Sequence, residues 1–287
     1  MNRFFPIFLA FLFLPFFAQA QLRGGFKVGL NLSSIKGPTL TENGAKESYR
    51  SLTGFHVGPV IQWPITESYG LKAEVLYNQA GGIYQYEGQG FNFFRAEDGT
   101  KILAEGQKKV DLSILNTYLD VPIMGYLRVG SFQLDGGFRI GLLVSSTADG
   151  KMVFSGQTEL GSSIDEFEQT LFYNYKKDKP GGADYSSFTE KLIDGKPTQI
   201  PKTLGAYFFE DDDAGKKFNT IDLGLSAGVS YFIGRSLYIG ARANFGLSDI
   251  TNNNVDFNRL KTDGAKLLRQ ADKDKNFQIQ LSIGFSL

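Results

Sequence analysis

Residues 276–287 alternate strictly. Phe277, Ile279, Leu281, Ile283, Phe285 and Leu287 fall on one face, and Gln278, Gln280, Ser282, Gly284 and Ser286 on the other. A period of two with one apolar face and one polar or tiny face predicts a strand. The same alternation recurs in seven upstream segments: 26–33, 53–63, 69 to about 86, about 112–128, 132 to about 146, 220–232 and 236–247. The sixth is typical, with Ile221, Leu223, Leu225, Ala227, Val229 and Tyr231 on its apolar face. Each stripe is long enough for the ~9–11 residues that a tilted strand needs to cross a bilayer.

The connections between these segments alternate in length. Those after the second, fourth and sixth strands are tight, at 64–68, 130–131 and 233–235. Those after the first, third, fifth and seventh are long, at about 34–52, 87–111, 147–219 and 248–276. An even strand count with this parity predicts an all-β fold. It is an eight-stranded antiparallel transmembrane β-barrel with short periplasmic turns and long extracellular loops. Apolar-facing aromatics agree. Phe26, Trp63, Tyr69, Phe132 and Tyr231 lie at the turn ends, and Phe55, Tyr77, Phe245 and Phe277 toward the loop ends. These make two girdles where amphipathic rings prefer the membrane interface. A soluble β-sandwich would need a second sheet over every apolar face. It would explain neither the girdles nor the loop parity.

The N-terminus changes the setting. Arg3, the apolar run 4–17 and Ala18-Gln19-Ala20 read as a signal peptide over 1–20, with the mature barrel at 21–287. The run is shorter than a spanning helix needs and contains Pro6 and Pro15. The expected location is the bacterial outer membrane. A mean hydropathy of −0.17 is compatible with this, because a barrel turns only alternate residues to lipid. There is no Cys, so disulfides and thiolate–metal chemistry are excluded. With 30 basic and 30 acidic residues, the chain lacks the positive excess of a nucleic-acid binder.

Several strings carry a resemblance. F-K-V-G-L-N-L-S at 26–33, G-F-H-V-G-P-V at 54–60 and L-K-A-E-V-L-Y-N-Q-A-G at 71–81 are joined by Y-L-D-V-P-I at 118–123 and D-G-G-F-R-I-G-L-L at 135–143. D-L-G-L-S-A-G-V at 222–229 and I-G-A-R-A-N-F-G-L-S-D-I at 239–250 complete the set. Strand by strand, the chain resembles the PorT-like outer-membrane β-barrel family. The resemblance implies the barrel fold, and it implies a role only through the name-giving member, which serves a protein secretion system. Such barrels usually end in an aromatic residue that the insertion machinery reads. Here Leu287 is last and Phe285 precedes it on the same face.

On this register Lys27, Lys72, Glu74, Asp120, Arg128, Asp135, Arg139, Asp222 and Arg242 face the lumen. Charges enclosed by eight strands must pair or be hydrated, so a salt-bridge network that fills the barrel is expected. His56, the single histidine, also faces inward, without a G-x-S-x-G or H-E-x-x-H motif. Glu210-Asp211-Asp212-Asp213 and Asp272-Lys273-Asp274-Lys275-Asn276 read as solvated loop charge. The second starts like a calcium loop but has Phe277 where Gly belongs and Ile283 where the bidentate Glu belongs. No catalytic, metal or cofactor site is expected.

Loops as long as 147–219 usually carry function. This one holds Phe154, Phe167, Phe172, Tyr175, Tyr185, Phe188, Tyr207, Phe208 and Phe209 among its aromatics. Residues 163–176 are expected to form a short helix with Ile164, Phe167, Leu171 and Phe172 on one side. Residues 248–276, with Val255, Phe257, Leu260, Leu267 and Leu268, are expected to pack beside it. The reading is a non-enzymatic scaffold or binding protein working through these loops, in secretion or surface assembly. Expected partners are outer-membrane lipid and lipopolysaccharide, the barrel-insertion machinery and secretion or surface proteins. The alternatives are a small gated pore for a small solute and a hydrolase using His56.

Overall fold

The structure, a computed structural model, describes residues 22–40, 44–264 and 266–287. The signal peptide read at 1–20 lies outside the described residues. The described chain is built of strands. In order they are β1 (Arg23–Lys36), β2 (Lys46–Arg50), β3 (Leu52–Pro64), β4 (Tyr69–Glu74), β5 (Leu76–Arg95), β6 (Lys101–Val129), β7 (Phe132–Thr158) and β8 (Ser163–Asn174). There follow β9 (Ala183–Ile193), β10 (Lys196–Leu204), β11 (Ile221–Ile233), β12 (Leu237–Gly246), β13 (Phe257–Asp263), β14 (Lys266–Arg269) and β15 (Lys275–Ser286).

Pairing runs in a ring. β1 pairs with β3 and β15, and β3 with β4 and β5. β4 and β5 together form one stave, broken at Val75, and pair with β6. β6 pairs with β7, β7 with β11, β11 with β12, and β12 returns to β15. Every one of these pairs is antiparallel. The result is the eight-staved all-β barrel that the sequence predicts. Its outer wall is apolar, with Leu30, Phe138 and Leu281 each more than 60% exposed. Such a wall is stable against lipid and not against water.

The strands do not stop where the membrane band ends. β6 and β7 continue as one antiparallel pair up to Ala104–Thr158, and their polarity inverts on the way. In lower β6, Leu119, Val121, Ile123 and Leu127 face outward, and Asp120 and Met124 face the lumen. In upper β6, Val110, Leu112 and Ile114 are buried inside, and Glu105, Gln107 and Lys109 face out. β7 repeats this, from outward Phe138, Ile140, Leu142 and Val144 to outward Asp149 and Lys151 over buried Ala148, Met152 and Phe154. The inversion coincides with a bulge. Tyr118 pairs with Leu143 and Thr117 with Ser145, which leaves Val144 as an extra residue on β7. A bulge of this kind re-aims the side chains that follow it. Below it the outside is lipid and the inside is polar. Above it the outside is water and the inside is an ordinary hydrophobic core.

Two sequence expectations are corrected here. The segment 163–176 is not a helix: Ser163–Asn174 is strand β8, paired antiparallel with β7. The regions read as loops at 87–111 and 147–219 are largely sheet, because their inner positions supply a core that strands can share. β9 and β10 form a hairpin that joins β8 by a short parallel contact, Thr203 and Leu204 beside Thr170 and Leu171. The hairpin turn then reaches back to the β5–β6 turn through the Ala96–Thr198 bridge and the Lys196–Asp98 ion pair at 2.7 Å. The extracellular strands therefore curl over themselves and enclose a second, smaller core.

Candidate functional site

The lumen is filled by side chains from almost every stave. Near the periplasmic end, Glu74 on β4 accepts from three cations. Lys27 Nζ lies 2.9 Å away, Lys72 Nζ 3.2 Å, and Arg242 grips both carboxylate oxygens at 2.6 and 2.7 Å. Lys72 also reaches Asp135 at 3.2 Å. Toward the outside, Arg139 bridges Asp120, at 2.9 Å, and Asp222. Asn276 donates to Asp222 at 2.9 Å and to the Tyr118 hydroxyl at 3.2 Å. Between the two clusters lies a neutral amide layer of Asn31, Asn78, Gln278 and Gln280.

Of the nine charges assigned to the lumen by sequence, eight are buried in these two clusters. Arg128 is the exception. It is half-buried at the periplasmic rim, with its guanidinium 4.1 Å from the centre of the Phe232 ring. The lower cluster carries one extra cation and the upper one extra carboxylate, so the column is neutral overall. A cavity beside Lys27, Lys72, Asp135 and Tyr238 measures about 10 Å³. That is roughly the least space one water needs. Among the described residues the lumen is a packed polar core.

His56 sits in this core, wholly buried. Its Nδ1 lies 2.6 Å from Asn31 Oδ1 and its Nε2 2.9 Å from Ser282 Oγ. Residue types and order match a hydroxyl–imidazole–amide relay. Sequence reasoning could name neither partner, since they lie 25 and 226 positions away along the chain. Strand pairing brings them together: Gly29 stands opposite both His56 and Ser282 in the ladder. A Cβ at Gly29 would lie 2.6 Å from His56 Cε1, so the glycine makes room for the ring. Beyond geometry, a nucleophile needs a reacting atom within about 3 Å and donors for an oxyanion. The hollow of about 750 Å³ that includes Gly29 and Ser282 lies on the lipid-facing wall among Val28, Leu30 and Leu281, and His56 does not line it.

Above the lumen, the aromatic segments close the mouth. Tyr118, Tyr175, Tyr207, Phe208, Phe209 and Phe218 are buried in one cluster with Ile250 and Val255. Tyr207 donates to the Tyr175 carbonyl at 2.7 Å and accepts from Lys217 N–H at 2.9 Å. Burial pushes its phenol up to about 12. Phe257, Leu260 and Leu267 pack against this core, whereas Leu268 stays exposed. The outer core gathers Phe94, Ile102, Phe154, Ile164, Ile193 and Ile200 under the β9–β10 hairpin. Around it, Leu160, Phe172, Tyr185, Phe188 and Leu192 are exposed. β9 is also the edge of the sheet and pairs only with β10.

The acidic strings divide. Asp211, Asp212 and Asp213 are exposed, as expected for loop charge. Glu210 and Asp274 are buried, which corrects the solvated reading for these two. Glu210 holds Arg269 by two bonds of 2.6 and 2.7 Å. Asp274 lies with Asp272 and Asp256 in a group in which one carboxylate oxygen from each lies within 4.8 Å of the others. Burial and the charge of Asp272 push the Asp274 carboxyl up to about 7.

Comparison with known proteins agrees with this architecture. The model of the outer membrane protein beta-barrel domain matches residues 17–252. Similar solved structures include Ail, the attachment invasion locus protein of Yersinia pestis. It has 10% identity over 92% of this chain and 98% of that chain, with a TM-score of 0.34. Neisserial surface protein A has 10% identity over 91% and 96%, with a TM-score of 0.33. The outer membrane protease OmpT from Escherichia coli has 9% identity over 93% and 96%, with a TM-score of 0.31. At such scores these likenesses say nothing about activity. No curated protein matches the chain. The family match covers most of the chain and the strands close a lipid-facing ring, so this protein belongs to the outer membrane protein beta-barrel domain family and resides in the cell outer membrane.

Proposed function

We propose that this protein is a non-catalytic outer-membrane barrel that holds a rigid extracellular β-platform for docking a surface partner. One observation carries the reading: strands β5, β6 and β7 run unbroken from the membrane band into a sheet with its own core. A pore has no use for such a core, and a flexible loop would not need it. The exposed set Leu160, Phe172, Tyr185, Phe188 and Leu192 sits on this platform, away from the lipid band. Apolar side chains held in water on a rigid scaffold suit a protein–protein contact. The strand-by-strand resemblance to PorT-like barrels favours a partner from secretion or surface assembly.

The other readings fare worse on physical grounds. Passage of a solute would have to break the Glu74 and Arg139 ion pairs and displace the aromatic mouth. Hydrolysis at His56 would need substrate access that its burial denies. The test is crosslinked pull-down of the tagged protein from intact outer membranes, read by mass spectrometry. Stoichiometric recovery of a surface or secretion component, lost on deleting 183–204, supports the docking reading. Recovery of the barrel alone overturns it, and single-channel conductance then becomes the relevant assay.

A further inference from the structure

Among the described residues, β9 pairs on one side only. Asp194 and Gly195, with φ of 51° and 76°, join Ile193 to Lys196 as a two-residue hairpin turn. Such a turn fixes which way the backbone groups point. The flanking pair Ile193–Lys196 exchanges both hydrogen bonds, and so does every second pair beyond it, Lys191–Thr198 and Thr189–Ile200. Pro197 and Pro201, which have no N–H to donate, stand at the intervening positions opposite Leu192 and Phe188. The N–H and C=O of Phe188, Glu190 and Leu192 therefore point away from β10, along the open edge, and no described residue bonds them.

Exposed edges are normally blunted by Pro, by a bulge or by Lys. From Phe188 to Ile193 the ladder is regular and β9 has no Pro. Lys191 is the one Lys of β9, and Asp165 holds its ammonium at 3.2 Å. The side chains define what would fit such an edge. Phe188, Glu190 and Leu192 share one face, and all three are exposed. A hollow of about 380 Å³ lies among Glu190, Leu192, Pro197 and Glu97. The Glu97 carboxylate accepts from the neutral Gln199 amide at 3.3 Å, and no described cation pairs with Glu190.

A strand laid on this edge sets alternate side chains directly beside these three. The face suits an apolar, a basic and an apolar residue at every second position. A second copy centred on the same residues would set Glu190 against Glu190, which opposes self-pairing. We infer that β9 accepts an extended segment of the surface partner as an added strand, with a basic residue beside Glu190 and apolar ones beside Phe188 and Leu192. The inference rests on the docking reading and names what docks: the open backbone groups hold the segment and Glu190 selects it.

The test uses the full chain in detergent micelles and the peptide acetyl-Thr-Ile-Thr-Lys-Thr-Ile-Thr-amide. One peptide is expected to bind per chain, with hydrogen exchange slowed at the Phe188, Glu190 and Leu192 amides. Replacing the peptide's Lys by Glu should weaken binding about tenfold, and Glu190→Lys should reverse that preference. A peptide N-methylated at its three central amides should not bind, which probes the backbone without altering the protein. Leu192→Pro removes an outward N–H and no ladder bond, so it should block binding, whereas Leu192→Val should retain it. Both variants should keep the mobility shift of a folded barrel on unboiled gels. Absence of peptide binding, equal binding of the Lys and Glu peptides, or binding of the N-methylated peptide overturns the inference. Dimers of the chain that Leu192→Pro dissolves also overturn it, since they give the edge to a second copy. Partner recovery that is lost on deleting 183–204 but survives Leu192→Pro overturns strand addition and leaves the docking reading standing.

Discussion

Glu74 shows how single residues hold this barrel together. It meets Lys27, Lys72 and Arg242 deep in the buried lumen, so removing it leaves three buried cations facing Asp135. Breaking one side of a buried ion network typically costs about 3–5 kcal/mol. Glu74→Ala should therefore lower the temperature at which the folded band converts on unboiled gels. Lys72→Met should lower it less, because Arg242 still covers both Glu74 oxygens. Equal transitions for Glu74→Ala and the parent chain would show that the network is not structural. Asp274 makes a second prediction. Its folded carboxyl titrates near 7, against 3.8 for an unperturbed aspartate. Between these values the folded state keeps a proton that the unfolded state has released. Stability of this segment then falls as pH rises from about 4 to 7 and is level above that. The amides of Ile250 and Asn219, which close onto Asp274 and Ile250, should open on the order of a hundredfold more often at pH 8 than at pH 5. This is read by hydrogen exchange corrected for intrinsic rate, and Asp274→Asn should flatten the dependence.

Elements divide into those legible from sequence and those that were not. The membrane staves could be read because lipid on one side and a polar lumen on the other enforce strict alternation. Above the membrane that contrast weakens, since strands there share an ordinary core and their outer face is mixed. β8 was misread as a helix for a specific reason. Phe154 pairs with Phe167 and Gly156 with Ile164, so Asp165 and Glu166 both stand opposite Ser155. This bulge places Ile164 and Phe167 three apart on one side, which is the spacing of a helix. The lumen cations and carboxylates were visible from their parity in the strands. Ser282 and Asn31 as partners of His56 were not, because their meeting depends on ring closure between β1, β3 and β15. The outer elements predict their own separability. Deleting 183–204 removes the β9–β10 hairpin, which makes no pair in the membrane ring. The shortened chain should still show the heat-dependent mobility shift, while the surface it covered, around Phe94 and Phe154, becomes accessible to protease. Loss of the shift would mean that the platform is needed to form the barrel.

For the molecule as a whole, the neutral, packed lumen and the closed aromatic mouth predict electrical silence. In planar bilayers the intact protein should give no steady single-channel steps. Steps that persist after deletion of 183–204 and are altered by Arg139→Ala would instead argue for a conducting column. The more central claim is the reversal of polarity along β6 and β7, which divides one continuous sheet into a lipid-facing barrel and a water-facing platform. The chain has no cysteine, so each introduced one is unique. The most direct measurement is labelling of single-cysteine variants on intact cells with a membrane-impermeant maleimide. Asp149→Cys, Lys151→Cys and Gln157→Cys are expected to label readily, and Phe138→Cys, Ile140→Cys and Leu142→Cys to stay unlabelled until the membrane is dissolved. Labelling of 138–142 on intact cells, or protection of 149–157, would contradict the account.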